Sequence, residues 1–166
     1  MNMRIILLSV SLVMFSACSS LASIPYHPEQ TPESWLQIQP FTTVAVGSAT
    51  FVLVQPSSTA LVYLLGIIAV IAGFHFLRIR DGHHARRWWG HALILWGLGA
   101  LCAGTSYQAF SFEIKCAGKQ LCSWTSWWEI AYLLLSVASV DAMVVAGAYA
   151  GLTGKQERSK IALVVT

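Results

Sequence analysis

Residues 59–77, TALVYLLGIIAVIAGFHFL, run without a formal charge. At a rise of about 1.5 Å per residue, an apolar helix of that length matches a hydrocarbon core about 30 Å thick. No other feature limits the fold as much. Two further runs repeat the pattern: WWGHALILWGLGALCAGTSYQAFSF over residues 88–112 and WWEIAYLLLSVASVDAMVVAGAYAGL over residues 127–152. Trp88, Trp89, Trp124, Trp127 and Trp128 stand at their ends, where the amphipathic indole prefers the headgroup region. Composition agrees, with 56% hydrophobic and 10% charged side chains, against about 25% charged in soluble domains, and a mean hydropathy of +0.63. The expected fold class is all-α: a polytopic helical membrane protein, with an N-terminal signal or anchor followed by a bundle of three to four helices. The 166 residues leave room for one transmembrane domain, residues 21–166.

The opening, MNMRIILLSVSLVMFSACSS, joins a basic residue, Arg4, to an apolar core and then small residues, as a secretory signal does over residues 1–20. Its FSAC ending at Cys18 also resembles a bacterial lipobox, with Phe15 where leucine is usual. A cleaved signal, an uncleaved anchor helix and a lipidated Cys18 are the three readings of this leader.

A helix is expected over about residues 33–54. Thr31 is suited to cap it and Pro32 to occupy its first position. Gln37, Gln39 and Pro40 make its first half polar and prone to kink, so the segment crosses, tilts or re-enters. Pro56 and the serines at 57 and 58 then mark a helix end and a new start.

Charge sets the expected orientation. Arg78, Arg80, Arg86 and Arg87 cluster in one connection and Lys155, Arg158 and Lys160 in the tail, whereas residues 113–123 carry only Lys115 and Lys119. Positive-inside bias puts the arginine connection and the tail in the cytoplasm and residues 113–123 outside. In CAGKQLC, Cys116 and Cys122 are spaced to close a small ring, and a disulfide persists only in an oxidising compartment. The localisation expected is a bacterial inner membrane with the Cys116–Cys122 loop outside the cytoplasm. Parity conflicts with this: after an exported N-terminus, three crossings satisfy the charge bias, whereas a fourth through residues 33–54 places the arginines outside. The closing IALVV, after a basic turn, reads as a tail or as the opening of another span in a longer protein. The ten Lys and Arg flank apolar runs, the pattern of membrane orientation and not of nucleic-acid binding.

Four groups of residues carry possible chemistry. His75 precedes the arginine connection and His91 follows it, so a helical hairpin sets both at similar depth. They are candidate haem or metal ligands, with His83 and His84 as further metal candidates. No Cys-x-x-Cys-His or His-Glu-x-x-His motif supports them. Asp141 lies near the middle of an apolar run, where an acidic side chain costs about 2.5–3.5 kcal/mol on insertion scales. It is expected to face the bundle interior, against the small residues Gly97, Ala100 and Gly104 or the polar Ser106, Tyr107, Gln108, Ser136 and Ser139. There it either fixes helix packing as a neutral, hydrogen-bonded residue or, as the candidate catalytic residue, serves a proton, ion or catalytic role. Glu113 and Glu129 flank the cysteine loop, where a carboxylate pair can do acid–base work or sit idle at the interface.

Three functional readings follow. The first is a non-enzymatic membrane component, or part of a longer polytopic protein, whose partners are membrane lipid and other membrane-protein subunits, without nucleic acid. The second is a haem- or metal-binding protein using His75 and His91. The third is an intramembrane hydrolase or proton-coupled carrier centred on Asp141. No substrate and no particular cofactor follows from the residues.

Overall fold

The structure, a computed structural model, describes residues 24–79 and 82–151, with Val46 described in its backbone only. The leader of residues 1–20 with Cys18, Arg80, and the tail beyond residue 151 lie outside the described residues. The described chain is mostly helical and includes one two-stranded sheet, so the all-α expectation is corrected by that sheet. In order the elements are α1 (Pro32–Ile38), β1 (Phe41–Val46), β2 (Ala49–Val54), α2 (Pro56–Arg78), α3 (His84–Ala103), a π-helical segment (Gly104–Ala109), α4 (Ser111–Lys115) and α5 (Trp127–Gly151).

The expected helix over residues 33–54 breaks after seven residues. Its start is as read: Thr31 caps α1 by accepting from the Ser34 N–H, and Pro32 stands in the first turn. Its end has a steric cause, because a residue preceding proline is pushed out of the α region. Gln39, before Pro40, is extended at φ −112° and ψ 133°. The apolar stretch beyond is FTTVAV-GS-ATFVLV, rich in β-branched residues that suit a pleated surface. It folds into an antiparallel hairpin registered from Phe41↔Val54 to Val46↔Ala49. The two-residue connection has Gly47 at φ +62° in its first position, the place a type II′ hairpin turn requires glycine.

The described residues divide into two compact units, one of residues 24–59 and 103–130, the other of residues 60–79, 82–102 and 131–151. In the first, Trp35, Val54, Cys116 and Cys122 form a buried core with Phe112, Leu36, Val52 and Tyr26 against it. The Cys116–Cys122 disulfide is formed. The segment entering α1 lies along the cysteine loop, with Cys122 N–H donating to Gln30 O, Tyr26 N–H to Cys122 O and Trp124 N–H to Ile24 O. Glu113 Oε1 accepts from the Val52 N–H at 3.1 Å, satisfying one donor on the hairpin.

In the second unit, α2 and α3 meet along a glycine seam. A Cβ at Gly97 would stand 2.6 Å from the Gly66 carbonyl oxygen, and one at Gly73 would stand 2.7 Å from that of Gly90. Small residues permit such close backbone approach between helices in lipid. On α5, Ser139 Oγ donates to the Ala92 carbonyl at 3.0 Å, and Leu135 and Ser136 lie over Gly99. Gly97→Ala is therefore expected to lower stability by about 1–3 kcal/mol through overpacking, because its obstacle is backbone. Gly147→Ala, with nothing within 4 Å, is the matched control and should leave thermal unfolding in detergent unchanged or slightly higher.

Among the described residues, α2 and α5 are the two helices long and apolar enough to cross a membrane. The run of residues 88–112, expected as a third such span, is not one helix. It divides among α3, the π-helical segment and α4, and α3 starts with Arg86, Arg87 and two tryptophans in its first turns, which reduce its apolar character. Their termini otherwise follow the expectation closely: residues 59–77 fall within α2, and residues 127–152 correspond to α5.

Candidate functional site

The first unit holds a buried ionic cluster that joins three stretches of sequence. Lys115, the last residue of α4, is 3% exposed, and Glu129, in the first turn of α5, is 2% exposed. Their side chains form an ion pair. Ser106 Oγ, carried by the π-helical segment, donates to Glu129 Oε1 at 3.0 Å and lies 2.8 Å from Ser126 Oγ. Glu129 Oε2 accepts from the Ser126 backbone N–H at 2.7 Å. This last bond is half of a capping box, in which the third residue of a helix reaches back to the residue before it.

The carboxylate thus receives an ammonium, a hydroxyl and a backbone N–H, as a buried charge requires. The ammonium is placed 4.7 Å from the centroid of the Tyr107 ring and 5.9 Å from that of Tyr26, within reach of the attraction between a cation and a ring face. The local folding is understandable. The π-helical segment closes with Phe110 N–H donating to Thr105 O, a wider turn that turns Ser106 inward and leaves Tyr107 exposed. The disulfide, together with Lys119 Nζ donating to Ile114 O and Ser123 Oγ, folds the chain back after Lys115.

A cleft of about 260 Å³ opens beside the cluster, lined by Ile114, Lys119, Thr125, Ser126, Trp127 and Trp128. Ser126 belongs to both. Its hydroxyl contacts Ser106, while both Glu129 oxygens are engaged within the cluster, Oε1 by Lys115 and Ser106 and Oε2 by the Ser126 N–H. Chemically the arrangement is a polar clamp that ties α4, the π-helical segment and the start of α5 together.

The residues singled out from the sequence do not assemble into one site. His75 and His91 lie at similar levels, since the Gly73–Gly90 approach sets the register of α2 against α3. Both, however, are exposed. His91 packs edge-on to Trp88, with centroids 6.0 Å apart. His84 stacks on Tyr149 at 5.3 Å, and His83 is exposed at the start of α3. Among the described residues no group of three or more His, Cys, Asp or Glu is placed to hold a metal ion.

Asp141 is exposed, contrary to the interior position expected. The side of α5 that packs carries Ser139, Ala142 and Ala146; Asp141 lies about 200° around the helix from Ser139 at about 100° per residue. Four of the groups expected as its partners are engaged elsewhere: Gly97 against Gly66, Ser139 with Ala92, Ser106 with Glu129, and Gln108 Nε2 with Ser58 Oγ. Glu113 and Glu129 do not act as a pair either, one bonding to the hairpin and the other to Lys115.

In the sequence Lys115 reads only as a loop charge. The spacing Ser126-Trp-Trp-Glu129 is a capping signature that marks Glu129 as turned back toward the helix start; the partnership with Lys115 has no local signal.

Fold and site define a mostly helical chain with two membrane-length helices and a disulfide-bonded unit built around a buried ion pair. Comparison with protein-family models, with curated proteins and with solved structures finds no match.

Proposed function

We propose that this chain is a non-enzymatic component of a membrane, either an integral subunit or part of a longer membrane protein. The observation that carries the reading is the saturation of the Lys115–Glu129 cluster. Its charges and hydroxyls are directed at one another, which suits a structural clamp better than a reaction centre. The apolar lengths of α2 and α5 supply the membrane anchorage.

The hairpin supports the orientation in which the Cys116–Cys122 loop lies outside the cytoplasm of a bacterial inner membrane. An open two-stranded sheet has unpaired edge groups that hydrocarbon does not tolerate, so residues 41–54 do not add a crossing. That orientation further requires α3 to cross between α2 and α5, although α2 and α5 are the two described helices with the length and apolar character to cross; with α3 crossing, an exported N-terminus and a cytoplasmic arginine connection are compatible and the disulfide falls on the oxidising side.

The test is purification from membranes in mild detergent, with the visible spectrum and metal content measured on one sample. The expected result is retention in the membrane through alkaline extraction, no Soret band and substoichiometric metal. A stoichiometric haem or metal overturns the reading and makes His75→Ala and His91→Ala the first replacements to make.

A further inference from the structure

The face of α5 turned away from α3 presents a carboxylate in an otherwise apolar stripe. Leu134, Val137, Val140 and Val144 are 55%, 61%, 57% and 48% exposed, and Asp141 is exposed among them. Asp141 stands about 21 Å along the helix from Trp127 and about 15 Å from Gly151, at about 1.5 Å per residue. That is near the centre of a hydrocarbon layer, and the short Asp side chain lacks the stem that lets lysine reach the interface. It has no hydrogen-bond partner among the described residues. An ionisable residue at such a depth ordinarily pairs with another group.

We propose that this face docks a transmembrane helix of a different polypeptide, one carrying a lysine or arginine at the depth of Asp141. Charge decides between a different chain and a second copy of this one. All ten Lys and Arg lie outside the runs 59–77, 88–112 and 127–152, and the leader's apolar core has none between residues 5 and 15. These runs of a second copy therefore bring another carboxylate and no intramembrane cation. The valine and leucine stripe supplies the packing surface around the pair, and the carboxylate selects among otherwise similar apolar helices. The inference rests on the reading of the chain as a membrane component and names its partner's chemistry.

The test uses the full chain reconstituted in phosphatidylcholine vesicles, its tryptophans serving as energy donors to a dansyl-labelled synthetic polyleucine helix. One guest helix has a central lysine and the control has leucine there. The lysine guest is expected to associate at least ten-fold more tightly, about 1.4 kcal/mol. Asp141→Asn should remove that preference, and Asp141→Lys should transfer it to a guest with central aspartate. Equal association of lysine and leucine guests, or a preference that survives Asp141→Asn, overturns the proposal. The same vesicles are extracted at alkaline pH. Loss of the chain from them overturns the membrane reading as well, whereas retention with equal guest binding defeats the docking inference alone.

Discussion

Lys115→Met is expected to destabilise the protein by about 3–5 kcal/mol, because it leaves the Glu129 carboxylate buried without its cation. The loss has a definite physical signature. Glu129→Gln, made alone, strands the ammonium instead, although the Tyr107 ring retains part of its attraction for it. The double replacement removes both charges, so its cost should fall well below the sum of the two single costs. Denaturant or thermal unfolding in one detergent, followed for all four proteins, measures the coupling. Additive effects, or single losses below about 1 kcal/mol, would show that water reaches the pair.

Replacing Cys116 and Cys122 together by alanine should lower stability by about 2 kcal/mol, the scale expected for opening so short a ring in the chain-entropy account. Both half-cystines are buried, at 0% and 1% exposure. Cys116 follows Lys115 directly, so the disulfide helps hold the ammonium against Glu129. Loss of the disulfide and loss of Lys115 should accordingly be less than additive. Unfolding curves with and without reductant, together with a shift in mobility on reduction, check the bond and its contribution. An unchanged midpoint would show that the loop is held by its hydrogen bonds alone.

Those two sites differ in how far they could be read in advance. The disulfide was legible, because the five residues between the two cysteines restrict their separation whatever the surroundings. The ion pair was not: Lys115 and Glu129 meet only after the cysteine loop has reversed the chain and the π-helical segment has brought Ser106 inward. Ser126 and Glu129 did carry a local capping pattern, but it says nothing about the ammonium. The hairpin was misread for a different reason. Thr42, Val44, Val52 and Val54 satisfy the demand for apolar or β-branched side chains in either a buried helix or a strand, and apolar content alone does not separate the two. The deciding signals were Pro40, which ends α1, and Gly47, which closes a two-residue turn.

The sequence by itself determined the apolar lengths of α2 and α5, the cap at Thr31, and the cysteines that join. Each depends on the free energy of a residue in its own segment, or on the steric limits of a few neighbouring peptides. Only the tertiary structure decided that Gly66 and Gly97 touch, that Ser139 turns inward while Asp141 turns outward, and that Lys115 is a buried cation. Hydropathy sums along a segment and carries no direction around a helix, whereas the burial of one side chain depends on which distant surface arrives to cover it.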